Sequence, residues 1–150
     1  MEKNYPNIEV SYEFVDAVAM RLVQWPNSYD VLITSNLFGD ILTDEASVIS
    51  GSMGLMPSAS VGSKHTLYEP IHGSYPEAAG KNIANPIASI LSLSMMLDHS
   101  FNLKKESEII NNAVEESLKN KYVTPDLSSD KNSFTTDQVG DYIVDFIKKN

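Results

Sequence analysis

The chain has 150 residues, of which 42% are hydrophobic and 21% charged, enough for one globular domain with a sizeable core. A net charge of −9, with 11 basic residues scattered along the chain, excludes a phosphate-binding surface for nucleic acid. No apolar run approaches the ~18 residues that span a bilayer, no secretory leader follows Met1, and the absence of cysteine fits a reducing cytoplasm and removes thiolate metal sites.

In chain order, Ile8, Val10, Tyr12 and Phe14 alternate with polar residues and predict a half-buried strand. The spacing then changes to that of a helix at Val15, Val18, Ala19, Leu22 and Val23, stopped by Pro26. Residues 31–34 read as a buried strand covered on both faces. A helix is predicted from about Phe38 to Ile49. It is followed by a run of small residues, 51–60, where backbone can approach a ligand closely. A short extended piece is expected around residues 66–68.

Three helices complete the chain. The first is capped by Asn85, with Pro86 at its first position, and is apolar nearly all round through Leu97. The second covers about 106–120, with Ile109, Ile110, Ala113, Val114 and Leu118 on one stripe. The third covers about 136–148, with Val139, Ile143, Phe146 and Ile147 inward. Residues 124–133 read as a surface loop between the last two. The pattern is α/β, with too few strands for a complete doubly wound sheet: an incomplete sheet with packed helices.

Two segments carry chemistry. Asp40 and Asp44 fall four residues apart on the predicted 38–49 helix, so their side chains stack one turn apart on one face. Like charges at that spacing cost a few tenths of a kcal/mol. A hard divalent cation, Mg2+ or Mn2+, would remove the repulsion through carboxylate oxygens. Two acidic residues near a helix start also complement its dipole without any metal. The second segment is the turn-rich loop from Leu67 to Pro86, which ends on a capped helix. His72, beside Gly73 and Ser74, is placed to stack on or hydrogen-bond a planar ligand, and the other reading is a ring satisfied by its own backbone. Glu77 is suited to accept two ribose hydroxyls and to repel a 2′-phosphate, which favours NAD over NADP. No Gly-x-Gly-x-x-Gly fingerprint follows a strand, so an ordinary Rossmann site is not supported.

Together these motifs resemble the C-terminal part of the β-decarboxylating dehydrogenases. The likeness extends over Val15-Asp16-Ala17, Met20, Asp30-Val31, residues 36–47, 51–60 and 69–86, and Thr124-Pro125-Asp126-Leu127. Within that family, His72-Gly73-Ser74, Ala79-Gly80-Lys81 and Ala84-Asn85-Pro86 are similar to the isopropylmalate branch. The resemblance implies an isopropylmalate dehydrogenase-like fold and Mg2+ or Mn2+ ligands at Asp40 and Asp44. It also implies a third ligand, Asp16, given to the other subunit of a homodimer. Glu69, His72, Gly73, Ser74, Glu77 and Asn85 match the NAD-binding loop, with His72 and Asn85 near the adenine and Glu77 on the adenosine ribose. Tyr75 departs from the usual alanine, and Glu77 is a longer version of the usual aspartate.

The implied reaction is NAD-dependent oxidation of 3-isopropylmalate and loss of CO2, a step of leucine biosynthesis in the cytoplasm. Homoisocitrate, isocitrate, tartrate or malate are the alternative substrates within the family. The family's substrate-binding arginines and its catalytic lysine and tyrosine match nothing in this sequence, whose one arginine is Arg21. No catalytic residue is therefore assigned, and the isolated chain is expected to be an inactive fragment. A non-catalytic remnant that binds a nucleotide or a partner is the competing class. By the same resemblance, residues 1–50 are expected to belong to a central dimerising, metal-binding domain and 51–150 to the cofactor-binding domain.

Overall fold

The computed structural model describes residues 4–128 and 132–150, which divide into two compact units, Met1–Ile49 and Ser50–Asn150. Part of the expected 124–133 loop, residues 129–131, lies outside the described residues.

In the first unit, α1 (Val15–Gln24) buries Val18 and Leu22, an i,i+4 pair from the predicted stripe. The helix ends where the N–H of Trp25 donates to the Arg21 carbonyl, and Pro26 opens a single 3₁₀ turn. Glu13 ties the neighbouring segments together: Arg21 Nη1 donates to its Oε1 at 2.7 Å and the Tyr29 hydroxyl to its Oε2 at 2.9 Å. The second helix, α2 (Asn36–Ser50), starts two residues before the expected Phe38 and buries Leu42 and Ser47.

Both strands expected in this unit are absent: residues 8–14 and 31–34 are irregular. The predicted double-sided burial of 31–34 is also overturned, since Val31 is 80% exposed and Ile33 79%. The physical reason is pairing. An extended segment becomes a strand only when its N–H and C=O groups meet a neighbour's, and among the described residues no strand lies beside either segment. The apolar patterns are real, but among the described residues no strand pairs with either segment.

The second unit is built around its helices. A hairpin, β1 (Pro57–Val61) and β2 (Thr66–Pro70), pairs antiparallel with Ala59 opposite Tyr68. The extended piece expected at 66–68 is thus the first part of β2, while most of β1 lies in the run expected to be ligand-approaching loop. In Pro57–Val61 the alternating apolar positions 57 and 59 carry only small residues, so β1 owes its conformation more to pairing with β2 than to its own pattern. Helix α3 (Ile87–His99) packs on the hairpin and on α4 (Lys104–Lys119), which in turn packs on α5 (Thr136–Ile147). The core is Ile87, Ala113, Val114, Val139 and Ile143, with Leu55, Ile90, Leu91, Tyr122, Phe134, Phe146 and Ile147 around it. Tyr122 stacks between Phe134 and Tyr142.

Two details depart from the patterns read along the chain. In α3 the buried positions include Ser92 and Ser94, whereas Leu93 is 44% exposed. The serines satisfy themselves on the way in: Ser92 donates to the Ala88 carbonyl, and Ser94 bonds Ser107 and Asn111 on α4. Small polar residues let α3 and α4 approach closely there. Helix α5 begins with a full capping box, in which Thr135 Oγ1 accepts from the Gln138 N–H and Gln138 Oε1 from the Thr135 N–H.

Candidate functional site

Asp40 and Asp44 both lie exposed on α2, one turn apart as the spacing demands. Asn36 Nδ2 donates to Asp40 Oδ2 at 3.0 Å, which orients that carboxylate and leaves Oδ1 open. Asp16, exposed on α1, accepts the Ala17 N–H on Oδ1 at 2.8 Å. Among the described residues no three acidic or imidazole groups converge closely enough to hold a metal ion, so Asp16 does not join the Asp40–Asp44 pair within one chain. The pair itself fits a hard cation: two carboxylates, no ion pair to a basic side chain among the described residues, and oxygen donors only.

The cofactor loop belongs to the second unit. Glu69 sits on β2 opposite Ser58, with its side chain exposed. The half-buried His72 donates Nδ1–H to the Gly73 carbonyl at 2.9 Å, so one ring nitrogen is satisfied by local backbone. A Cβ at Gly73 would meet nothing within 4 Å, which leaves open space over the loop at that point. Ser74 is exposed. Tyr75 is left-handed at φ 45°, a conformation that costs a side-chain-bearing residue energy, and it turns the chain into the 3₁₀ turn Pro76–Ala78 that carries the exposed Glu77.

Beyond Glu77 the loop is fastened to the start of α5. Asn82, also left-handed at φ 55°, donates from Nδ2 to Asp137 Oδ2 at 2.8 Å and accepts the Asp137 N–H on Oδ1. The Thr136 N–H donates to the Asn82 carbonyl, and the Thr136 hydroxyl donates to the Ala84 carbonyl at 2.6 Å. An open cavity of about 410 Å³ lies between these two segments, lined by Ala78, Gly80, Ile83 and Asp137 among others.

Asn85 caps α3 from one residue further out than expected: the helix starts at Ile87, and Asn85 Oδ1 accepts the Ile87 N–H at 3.0 Å. Its Nδ2 donates to Asp126 Oδ2 at 3.0 Å. Asp126 also receives the Ser52 hydroxyl on Oδ2 and the Thr124 hydroxyl on Oδ1, the latter at 2.6 Å. Ser52 in turn accepts the Gly54 N–H at 3.0 Å. Desolvation raises the Asp126 pKa, but the hydroxyl, amide and backbone donors outweigh it and hold the carboxyl below its ordinary value of 3.8. Gly54 lies against Asn85 so closely that a Cβ there would be 2.6 Å from the Asn85 Cβ.

Sequence reasoning placed Asn85 in the site but took Thr124 to Leu127 for surface loop. Ser52, Gly54, Thr124 and Asp126 were not assigned, although a hydroxyl two residues before an aspartate in a turn is a local signal of side-chain to side-chain bonding.

A largely helical unit with a β-hairpin, a capped helix behind a polar loop and an aspartate pair on a separate helix is an architecture found among dehydrogenases. The crystal structure of isocitrate dehydrogenase from Methylococcus capsulatus matches 97% of this chain and 43% of its own, with a TM-score of 0.93 at 40% identity. Among sequences, the 3-isopropylmalate dehydrogenase of Aquifex aeolicus (strain VF5) is 54% identical over 129 residues, 86% of this chain and 35% of the relative. That of Buchnera aphidicola subsp. Diuraphis noxia is 50% identical over 151 aligned positions, 100% of this chain and 42% of the relative. The isocitrate/isopropylmalate dehydrogenase family matches residues 1–143, and the chain belongs to that family. It spans about two fifths of the length of these curated relatives and falls within an oxidoreductase family with an isopropylmalate dehydrogenase-like fold.

Proposed function

We propose that this chain is the metal- and cofactor-binding portion of an NAD-dependent 3-isopropylmalate dehydrogenase acting in leucine biosynthesis. The observation that carries the reading is the 50–54% identity to proteins of that name over 86–100% of this chain, an aligned span that includes the segments of the aspartate pair and the loop. The division at residue 50 fits the same reading, with residues 1–50 in a dimerising, metal-binding part and 51–150 in the cofactor-binding part. The enzyme would be a cytoplasmic homodimer; among the described residues no helix is long and apolar enough to cross a membrane.

Within this reading Asp40 and Asp44 supply carboxylate oxygens to Mg2+ or Mn2+, and Asn36 keeps Asp40 from rotating away. Asp16 completes the ligand set of the second subunit. A bound metal ion supplies Lewis-acid polarisation of the substrate oxygens, and NAD accepts the hydride. Glu77 accepts the adenosine ribose hydroxyls, and its charge repels a 2′-phosphate. His72 offers Nε2, and Glu69, Gly73, Ser74 and Asn85 complete the loop around the nucleotide. The chain contains no lysine–tyrosine–arginine set matching the family's, so proton transfer and the clamping of the substrate carboxylates belong to the remainder of the dehydrogenase.

The test is NADH formation at 340 nm with 3-isopropylmalate, isocitrate, homoisocitrate, tartrate and malate, in the presence of Mn2+. It is run on this chain alone and on the chain joined to the N-terminal portion of the Aquifex relative. The expected result is turnover of 3-isopropylmalate by the joined protein, at least tenfold less when Asp40→Asn is introduced, and none by the chain alone. Turnover by the chain alone would sink the fragment reading. Preference for another acid would move the assignment within the family, and an inactive joined protein would favour the non-catalytic remnant.

A further inference from the structure

The Asn85 side chain is held by Asp126 and Gly54, both far from it in sequence, and by the backbone N–H of Ile87 two residues on. An amide carries two N–H donors and a carbonyl with two lone pairs. Here one donor goes to Asp126 Oδ2 and one lone pair to the Ile87 N–H, which leaves one of each unused by these partners. Turning the amide over would set its oxygen against the Asp126 carboxylate and its NH2 against the Ile87 N–H, two repulsive contacts in place of two bonds. Gly54 closes the remaining freedom, because its missing Cβ is the space that the Asn85 stem occupies. Asp126 is itself fixed by the Ser52 and Thr124 hydroxyls.

We propose that Asp126 is a positioning residue for nucleotide binding. It locks the Asn85 carboxamide in one orientation, so that a single donor and a single acceptor are presented to an adenine nucleotide. This rests on the reading of the 69–85 loop as the NAD site. Asp126 touches no ligand in this scheme; it acts through Asn85, because the oxygen it sets beside the amide accepts from the Asn85 NH2 and would repel the Asn85 oxygen. The lock removes the entropic cost of selecting one amide rotamer when the ligand binds.

The experiment titrates NAD and AMP into the full 150-residue chain and into the Asp126→Ala, Asp126→Asn, Asn85→Ala and Asp126→Ala/Asn85→Ala variants. Loss of a hydrogen bond to a charged group predicts about tenfold to hundredfold weaker binding for Asp126→Ala. In the Asn85→Ala background the same change should cost less than about twofold, since the group it orients is gone. Asp126→Asn should recover much of the loss, because its amide oxygen can replace Oδ2 while the Thr124 hydroxyl turns to accept. Losses that simply add in the double variant overturn the positioning role.

A second readout needs no variant to fold: the Asn85 side-chain amide, followed by 15N–1H NMR in the ligand-free, unmutated chain. The N–H bonded to Asp126 should be protected from hydrogen exchange; if both N–H groups exchange as freely as a solvated amide, the lock is refuted whatever the titrations show. Failure of the unmutated chain to bind NAD or AMP, with the amide protected, would instead refute the cofactor reading of the loop and with it the nucleotide role of Asp126.

Discussion

Replacing Gly54 by alanine is a sharp test of how tightly the Asn85 site is built. Gly54 has no left-handed backbone, so the substitution adds a methyl group and nothing else. That methyl would lie 2.6 Å from the Asn85 Cβ, where ordinary contact begins at 3.4 Å, so one of them must move by about 0.8 Å. Neither atom is the end of a flexible side chain. If Asn85 yields, its two bonds, each 3.0 Å long, stretch beyond hydrogen-bonding range. Overpacking costs about 1–3 kcal/mol, and losing a bond to a charged acceptor costs about 1.5–3 kcal/mol. Since one movement relieves the first by incurring the second, the expected loss is about 2–4 kcal/mol rather than the full sum. Urea unfolding of the chain measures it, with NAD titration alongside. Gly140→Ala is the control of opposite sign: it sits inside α5, its added Cβ meets nothing within 4 Å, and it should stabilise by about 0.5–1 kcal/mol. A Gly54→Ala protein within about 0.5 kcal/mol of the parent, with unchanged NAD affinity, would refute the packing argument.

Ile143→Ala empties the centre of the second unit, where Ile143 is 1% exposed against Val139 and Ala113, and should cost about 2–5 kcal/mol by denaturant unfolding. A loss below 1 kcal/mol would mean that this cluster is not the core. The lowered pKa of Asp126 has a definite sign. Its contribution to stability is fully present above the ordinary carboxyl value of 3.8 and is lost as pH falls through the lower folded-state value. Unfolding midpoints followed from pH 6 downward should therefore fall below about pH 4, less steeply in Asp126→Asn; an identical profile in the variant would remove Asp126 from the account.

The helices were legible in the sequence because each carries its own evidence of burial. Val139 and Ile143, or Ile110, Ala113 and Val114, recur at helical spacing, and the structure buries those positions. Helix ends moved by one or two residues, as with Asn36 for α2 and Ile87 for α3. The strands failed in both directions for one reason. Residues 8–14 and 31–34 have strand patterns but no partner among the described residues, whereas Pro57–Val61 alternates only small residues before Val61 and is a strand because β2 pairs with it. A helix closes its hydrogen bonds within one segment; a strand depends on another.

The candidate site divides along the same line. Sequence alone determined the aspartate pair, since Asp40 and Asp44 are one turn apart once their segment is helical, and it determined the residue types of the 69–85 loop. Only the tertiary structure decided what surrounds Asn85. Ser52, Gly54 and Asp126 come from segments more than 30 residues away on either side, and a contact between such segments exists only after α3, α4 and the hairpin have packed. Spacing along a chain specifies which groups share a face of one element; which elements meet is settled by the burial of their apolar faces against one another.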